Sequence, residues 1–365
     1  MWPESGETPK PLRRGLTTGT CATACCIAAS ERLFSDHSPK TVTVTLPKGK
    51  EVSLTIDHYE IIGNAVRAST IKDAGDDPDV THGACVFVEL RKSDTPGVHF
   101  VAGEGVGVVT RAGLALEVGE PAINTVPRQM MREHLLRQAL RFGYESGFDV
   151  SVGVENGEAL AQKTMNGRLG ILGGLSILGT SGIVRPYSCA AWIASIYQGI
   201  DVASANGVTH IAASTGNTSE AAIQQQYDLD EMALIEMGDF AGAVLKHLKK
   251  VPLPKLSICG GFGKVTKLAC GNMDLNSRAS SIDFQFLADQ AVEQGGSELL
   301  AGQIIAANTS MEAYHISQKE GVDIALPICE QAKEFASRVA GIDIEIEVWA
   351  INRKGQFIGH AGSVL

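Results

Sequence analysis

Two rhythms of apolar and polar positions divide the chain. Early on, apolar residues alternate with polar ones: TVTVTL from Thr41, EVSLTID from Glu51 and ACVFVEL from Ala84. A period of two puts one face of a strand against a core and the other in water, the pattern of half-buried antiparallel strands. DVSVGVEN from Asp149 reads as a further strand. Two helical stretches lie among these. Thr17 to Thr20 (TTGT) precede an Ala-rich run to Leu33, and a Thr hydroxyl can accept from an N–H left unpaired at a helix start. Residues 126–142 carry Met130, Met131, Leu135, Leu136 and Leu140 among charges, an amphipathic helix.

After about residue 165 the rhythm changes. Continuous apolar runs at 171–178, 208–213, 232–237 and 255–259 alternate with helical segments at 185–198, 217–227, 239–250 and 282–297. Strands buried on both faces read this way, and the βαβ alternation implies a parallel sheet with right-handed crossovers. IDIEIEVWAI from Ile342 alternates strictly, which predicts an antiparallel or edge strand closing that sheet. The patterning predicts an α+β domain over 15–167 and an α/β domain over 168–365 with a mostly parallel, Rossmann-like sheet. The Pro- and charge-rich residues 1–14 precede them as a mobile segment.

Composition narrows the class. The 365 residues suffice for about two domains. A net charge of −10 argues against a nucleic-acid groove or an anionic membrane surface. No apolar run reaches the roughly 18–20 residues that span a bilayer, and the polar start MWPESGETPKPLRRG has no signal-peptide core. A cytoplasmic protein is the expectation, with a homo-oligomer left open. None of the eight cysteines forms a CxxC pair. Cys21, Cys25 and Cys26 sit at helical spacing in the Ala-rich run and read as small core residues, not metal ligands.

Three segments share one layout: GGLSILGTSGIVRP from Gly173, VTHIAASTGNTSE from Val208 and KLSICGGFGKVTK from Lys255. Each is an apolar run that ends in small residues and passes into a helix. In open α/β sheets ligands bind at such loops, where small residues let the backbone approach and a helix N-terminus can hold an anion. Standard phosphate motifs fail. Gly179–Thr180–Ser181–Gly182 is not GxGxxG, and Val265 follows Gly263–Lys264 where a Walker A loop needs a hydroxyl.

Two further stretches carry chemistry. KDAGDDPDVTHG, Lys72 to Gly83, packs Asp73, Asp76, Asp77, Asp79 and His82 together. It reads as a hard-metal site, as a general acid or base, or as a solvated turn with Asp caps. In GEGVGVVTRAGLALEVGEPAINTVPR, Gly103, Gly105 and Gly107 alternate. This leaves one side of an extended chain bare for a flat ligand or another backbone. Arg111 and Arg128 could pair with ligand carboxylates. His134, His210 and His247 read as ordinary residues, and Trp192 and Tyr197 as packing.

Taken together, LRRGLTTGTCATA from Leu12, KDAGDDPDVTHG, GEGVGVVTRAGLALEVGEPAIN, GILGGLSILGTSGIVRPYS from Gly170, STGNTSE from Ser214 and CGGFGKVTKLA from Cys259 resemble the CbiD family in order and content. This is the cobalt-precorrin-5B C-1 methyltransferase family of the oxygen-independent cobalamin pathway. Thr125 and Tyr187 depart slightly from its pattern, and neither removes a reactive group. The resemblance implies transfer of a methyl group from S-adenosylmethionine to C-1 of a cobalt tetrapyrrole, giving cobalt-precorrin-6A. It also implies a cofactor site without the usual glycine signature.

On that footing, Gly179, Thr180, Gly182, Ser214, Thr215, Gly216, Asn217, Gly260, Gly261 and Gly263 are expected around S-adenosylmethionine. Asp239 is expected to accept from its adenine or ribose. Arg111, Arg128, Arg185 and Lys264 are candidate partners of the macrocycle carboxylates, and Asp76 or His82 is the candidate base. No protein metal site is expected, since cobalt arrives in the substrate. A nicotinamide-dependent tetrapyrrole reductase and a non-catalytic tetrapyrrole carrier are the alternatives.

Overall fold

The computed structural model describes residues 11–341 and 343–362. They form two compact units that divide after Ser188. The boundary thus falls later than the expected Gly167–Arg168, because residues 168–184 pair with strands of the first unit.

In chain order the first unit comprises β1 (Gly15–Leu16), α1 (Thr18–Ser35), β2 (Thr41–Thr45), β3 (Glu51–Thr55), β4 (His58–Ile62), β5 (Ala65–Ile71), β6 (Cys85–Ser93), β7 (Val98–Ala102), β8 (Val108–Val109), α2 (Thr125–Phe142), β9 (Gly147–Val154), α3 (Gly157–Ala161), β10 (Ile171–Leu172) and β11 (Ile183–Val184). Its main sheet has the order β4-β5-β6-β9-β7. All neighbours are antiparallel except β7 and β9. Alternation built this sheet as expected: Val86, Val88 and Leu90 of β6 are buried with Val150 and Val152 of β9.

α1 packs against β5, β6 and α2, and its residues Thr18 to Ser30 are all buried. Only Ala, Cys, Thr, Gly, Ser30 and one Ile fill that stretch, so it can approach its neighbours closely. Thr17 Oγ1 accepts from Thr20 N at 3.3 Å, the expected cap. Cys21, Cys25 and Cys26 are core residues, and burial pushes the Cys21 thiol up to about 12. Of the N-terminal segment expected to be mobile, residues 1–10 lie outside the described residues. Arg13 is held, however: its guanidinium pairs with Asp73 and its backbone N donates to Asp76 Oδ2 at 2.6 Å.

The second unit comprises α4 (Cys189–Ala205), β12 (His210–Ser214), α5 (Asn217–Tyr227), β13 (Leu234–Glu236), α6 (Ala241–Leu248), β14 (Lys255–Gly261), α7 (Phe262–Ala269), α8 (Phe284–Glu293), α9 (Glu298–Ile305), α10 (Ser310–Lys319), α11 (Ala325–Ala340), β15 (Glu345–Ile351) and β16 (Phe357–Ala361). Its sheet has the order β13-β12-β14-β15-β16. The first four strands are parallel and β16 is antiparallel. A large apolar core covers one face, with Leu256 and Ile258 against helix residues such as Val244, Leu268 and Ile328. A smaller core under α5 covers the other, around Ala212, Cys259 and Trp349.

Two expectations change here. The strand expected from Ile342 is β15. It lies inside the sheet and parallel to β14, while the antiparallel edge is β16; Ile342 itself lies outside the described residues. Its alternation arises because Glu345 and Glu347 lie beside Lys255 while Ile346 and Val348 join the large core. The run at 171–178 is no strand of this sheet. It supplies the short β10, antiparallel to β8, then isolated bridges from Leu175 to Val106 and from Ile177 to Ile123.

Candidate functional site

The chain leaves β12 for β13 on one side, then crosses back to place β14 on the other. Strand order reverses between β12 and β14, and in open α/β sheets the crevice beyond the carboxyl ends at such a point is the ligand site. Ser214 pairs in register with Cys259 and Glu236, so three loops converge there: 214–217, 236–239 and 260–263. Thr215 N donates to Cys259 O at 3.1 Å, and Met237 N and Gly238 N both donate to Ser214 O, at 3.0 and 3.1 Å. Gly260 is required by close approach: a Cβ there would lie 2.8 Å from Thr215 Cγ2. At Gly216 and Gly261 a Cβ would meet nothing within 4 Å. Ser214 Oγ is fully buried and has no hydrogen-bond partner. A buried hydroxyl without a partner costs free energy, which a ligand group would relieve.

Asp239 and Lys264, expected to serve cofactor and macrocycle separately, form an ion pair with each other. Asn276 Nδ2 donates to the other Asp239 oxygen at 2.9 Å. Lys264 and Lys267 both donate to Leu275 O, at 3.0 and 3.1 Å. Burial, with Lys264 beside it, lowers the Lys267 pKa. This brace fixes the start of α7 at the crevice rim. Lys264 therefore has Asp239 as its charge partner inside the unit and gives two of its three donors to Asp239 and Leu275 O. Trp192, which read as packing, lies against Gly238 and donates from Nε1 to Glu236 O at 3.0 Å. It is a half-exposed wall beside Asp239 that helical spacing alone did not single out.

Gly179, Thr180 and Gly182 belong to the first unit, where their loop closes on the N-terminus of α1. Gly182 O accepts from Thr17 N at 3.1 Å and Thr20 Oγ1 at 2.8 Å, and Leu178 O accepts from Gly19 N at 3.2 Å. Gly182 has φ +75°, and a Cβ at Gly179 would lie 2.3 Å from Thr17 Oγ1. These glycines serve packing between two chain segments. The stripe Gly103, Gly105 and Gly107 likewise faces backbone: Cβ atoms there would strike Val152 O, Val154 O and Gly174 O.

The carboxylates of the acidic segment turn to separate partners. Arg13 holds the Asp73 carboxyl down to about 2. Asp77 Oδ1 accepts from Tyr187 N at 2.9 Å. Asp79 pairs with Lys72 and also accepts from Thr81 N and Thr81 Oγ1. Among the described residues no group of three or more His, Cys, Asp or Glu side chains is placed to hold a metal ion. Of the two candidate bases, exposed Asp76 has one oxygen on Arg13 N. His82 Nδ1 accepts from Ala74 N at 3.1 Å, so a neutral ring carries its proton on Nε2 and presents a donor there. Lys72, not singled out from the sequence, is buried to 1% exposure; its only sequence signal was a charge closing an apolar strand.

The arginines also separate. Arg128 donates to Ile123 O at 2.7 Å, Pro121 O at 3.0 Å and Glu120 Oε1 at 2.9 Å. It pins the turn before α2 and is not free for a ligand. Arg111 lies along Gly170, and Arg185 is exposed.

The CbiD family model matches residues 5–186, and the model described as CbiD, C-terminal domain, matches residues 274–362. The cobalt-precorrin-5B C(1)-methyltransferase of Marinomonas sp. (strain MWYL1) is 62% identical over 373 residues, covering 99% of this chain and 97% of that one. Its namesake from Pseudomonas syringae pv. tomato (strain ATCC BAA-871 / DC3000) is 58% identical, covering 100% and 99%. A crystal structure of the cobalamin biosynthesis protein (cbiD) from Archaeoglobus fulgidus is 28% identical and covers 72% of this chain and 82% of that one, with a TM-score of 0.40. Similarity of this degree to relatives matched along nearly their whole length means that the chain belongs to the CbiD family.

Proposed function

We propose that this chain is an S-adenosylmethionine-dependent methyltransferase acting on C-1 of cobalt-precorrin-5B to give cobalt-precorrin-6A in cobalamin biosynthesis. The names of its full-length relatives support the reaction. The observation that carries the donor site is the crevice at the strand-order reversal, with the unpartnered Ser214 hydroxyl and the open glycines 216 and 261 at its edges. The sheet is Rossmann-like in this sense: parallel strands, with the ligand at the carboxyl ends where strand order reverses.

The residues present fit S-adenosylmethionine. Ser214 and the backbone of 215–217 and 260–263 would hold its polar groups, and Gly216 and Gly261 leave room for it. When bound, the donor supplies a methyl group on a sulfonium, already a good leaving group. The chain's task is then alignment of donor and acceptor. Asp239, fixed by Lys264 and Asn276, keeps the crevice rim in place. Arg111 and Arg185 are the remaining candidates for macrocycle carboxylates. Asp76 is the group suited to accept a proton, with His82 Nε2 as a donor beside the same turn. The cobalt belongs to the substrate.

The test is anaerobic incubation with methyl-labelled S-adenosylmethionine and cobalt-precorrin-5B, followed by mass and NMR analysis of the macrocycle. Label at C-1 is the expected result. Folded protein with intact substrate and no transfer would overturn the reading. Binding of NADH in preference to S-adenosylmethionine would then mark a reductase, and macrocycle binding without either a carrier.

A further inference from the structure

A cavity of about 150 Å³ opens in the first unit at the N-terminus of α1. Its lining includes Lys72, the most deeply buried charged residue of that unit among the described residues. Burying an ammonium is costly unless it is paired and hydrogen-bonded. Lys72 Nζ donates to Asp79 Oδ2 at 2.5 Å and to Thr81 Oγ1 at 2.7 Å. An ammonium has three donors, so these two partners leave one N–H. The other oxygen of Asp79 accepts from Thr81 N at 2.8 Å and Thr81 Oγ1 at 2.6 Å. The lining thus holds the Lys72–Asp79 pair together with Thr81. The positive end of the 18-residue α1 adds the same sign. Leu178 and Val184 also line the cavity, apolar surface suited to a methylene stem.

Size sets the ligand class. Drug-sized ligands need roughly 300 Å³ or more. A short carboxylate arm fits and a macrocycle does not.

We propose that this cavity is a subsite for one acetate or propionate arm of the tetrapyrrole, with Lys72 as its charged anchor. The proposal rests on the tetrapyrrole reading above. Lys72 sets which arm is held and so which edge of the ring is presented.

The test compares binding of a cobalt corrinoid whose arms are all free carboxylates with the same corrinoid carrying carboxamide arms. Titration calorimetry is run on the full chain. The wild type binds the acid form more tightly. Lys72→Met/Asp79→Asn removes the charge without leaving Asp79 unpaired, and Val184→Phe fills the cavity without removing a polar group. Loss of one charge-assisted hydrogen bond lowers the acid-over-amide preference about tenfold or more in either variant. No preference in the wild type overturns the proposal, as does a folded variant of either kind that keeps the full preference. Methyl transfer by the wild type is scored separately. Transfer with unchanged preference in the variants removes the subsite alone. Lost preference without transfer keeps the carboxylate subsite and removes the methyltransferase reading.

Discussion

The loop Gly179–Gly182 and the loop Gly260–Gly263 follow similar apolar runs and precede helical segments, yet they do opposite work. In the first unit Gly179 and Gly182 lie against Thr17, Thr20 and Leu46, and the carbonyls of Leu178 and Gly182 accept from the start of α1. In the second, Gly261 faces open space at the carboxyl end of a parallel strand. A glycine loop is a ligand site when the missing side chain leaves room, and a packing device when another segment already fills that room. Only the neighbour across the loop decides.

Four measurements bear on this contrast. Gly182→Ala should have the largest effect. Its φ of +75° is costly for a residue with a Cβ, and Leu46 and Thr20 Oγ1 stand within 3 Å of the new atom. A loss of about 2–3 kcal/mol in unfolding free energy is expected by urea titration. A change within about 0.5 kcal/mol would show the loop to be free instead.

Gly261→Ala comes next and should act on binding, since φ there is −59° and nothing lies within 4 Å. The melting temperature should stay put while S-adenosylmethionine affinity by calorimetry falls about tenfold, roughly 1.4 kcal/mol. Unchanged affinity would place the donor elsewhere.

Ser214→Ala sharpens the same point with a smaller change. Removing an unsatisfied buried hydroxyl should leave stability within about 0.5 kcal/mol, and affinity for the donor should drop about fivefold. Stability lost without loss of affinity would make Ser214 a core residue.

The smallest effect is that of pH. Burial lowers the pKa of His210 and of His360 below 6.5, beside Lys255 and the buried Glu347. The folded unit keeps these rings neutral while the unfolded chain takes up protons below 6.5. Stability is therefore full above that value and is lost as pH falls through the depressed folded values. His134, also lowered by burial, gives the first unit the same sign. Melting temperature should decline between pH 7 and 5; a rise on acidification would contradict the neutral, buried assignment.

Legibility differed from region to region for identifiable reasons. The half-buried strands β2, β3, β6 and β9 were readable because alternation is imposed by one wet and one dry face. The start of α1 was readable because capping is local. The second unit's βαβ order and the two loops after β12 and β14 were readable because each continuous apolar run needs cover on both faces. The run at 171–178 has the same composition, but its partners are β8, Val106 and Ile123, far away in sequence. No local pattern distinguishes it from a buried parallel strand.

Site residues divide on the same line. Ser214 to Asn217 and Gly260 to Gly263 could be placed at strand ends because that position is a property of one segment. Arg128, Lys264 and Asp239 carry the right charges for ligands, but tertiary contacts give those charges to Glu120 and to each other. Lys72 was passed over because its burial depends on Asp79, Thr81 and a cavity wall that includes Leu178 and Val184. By itself the sequence determined where strands and helices form and which loops end apolar runs, since backbone geometry and hydrophobic period act over a few residues. Which polar groups remain free for a ligand was decided by the tertiary structure, because a hydrogen bond or ion pair depends on whichever donor or acceptor the folded chain brings within about 3 Å.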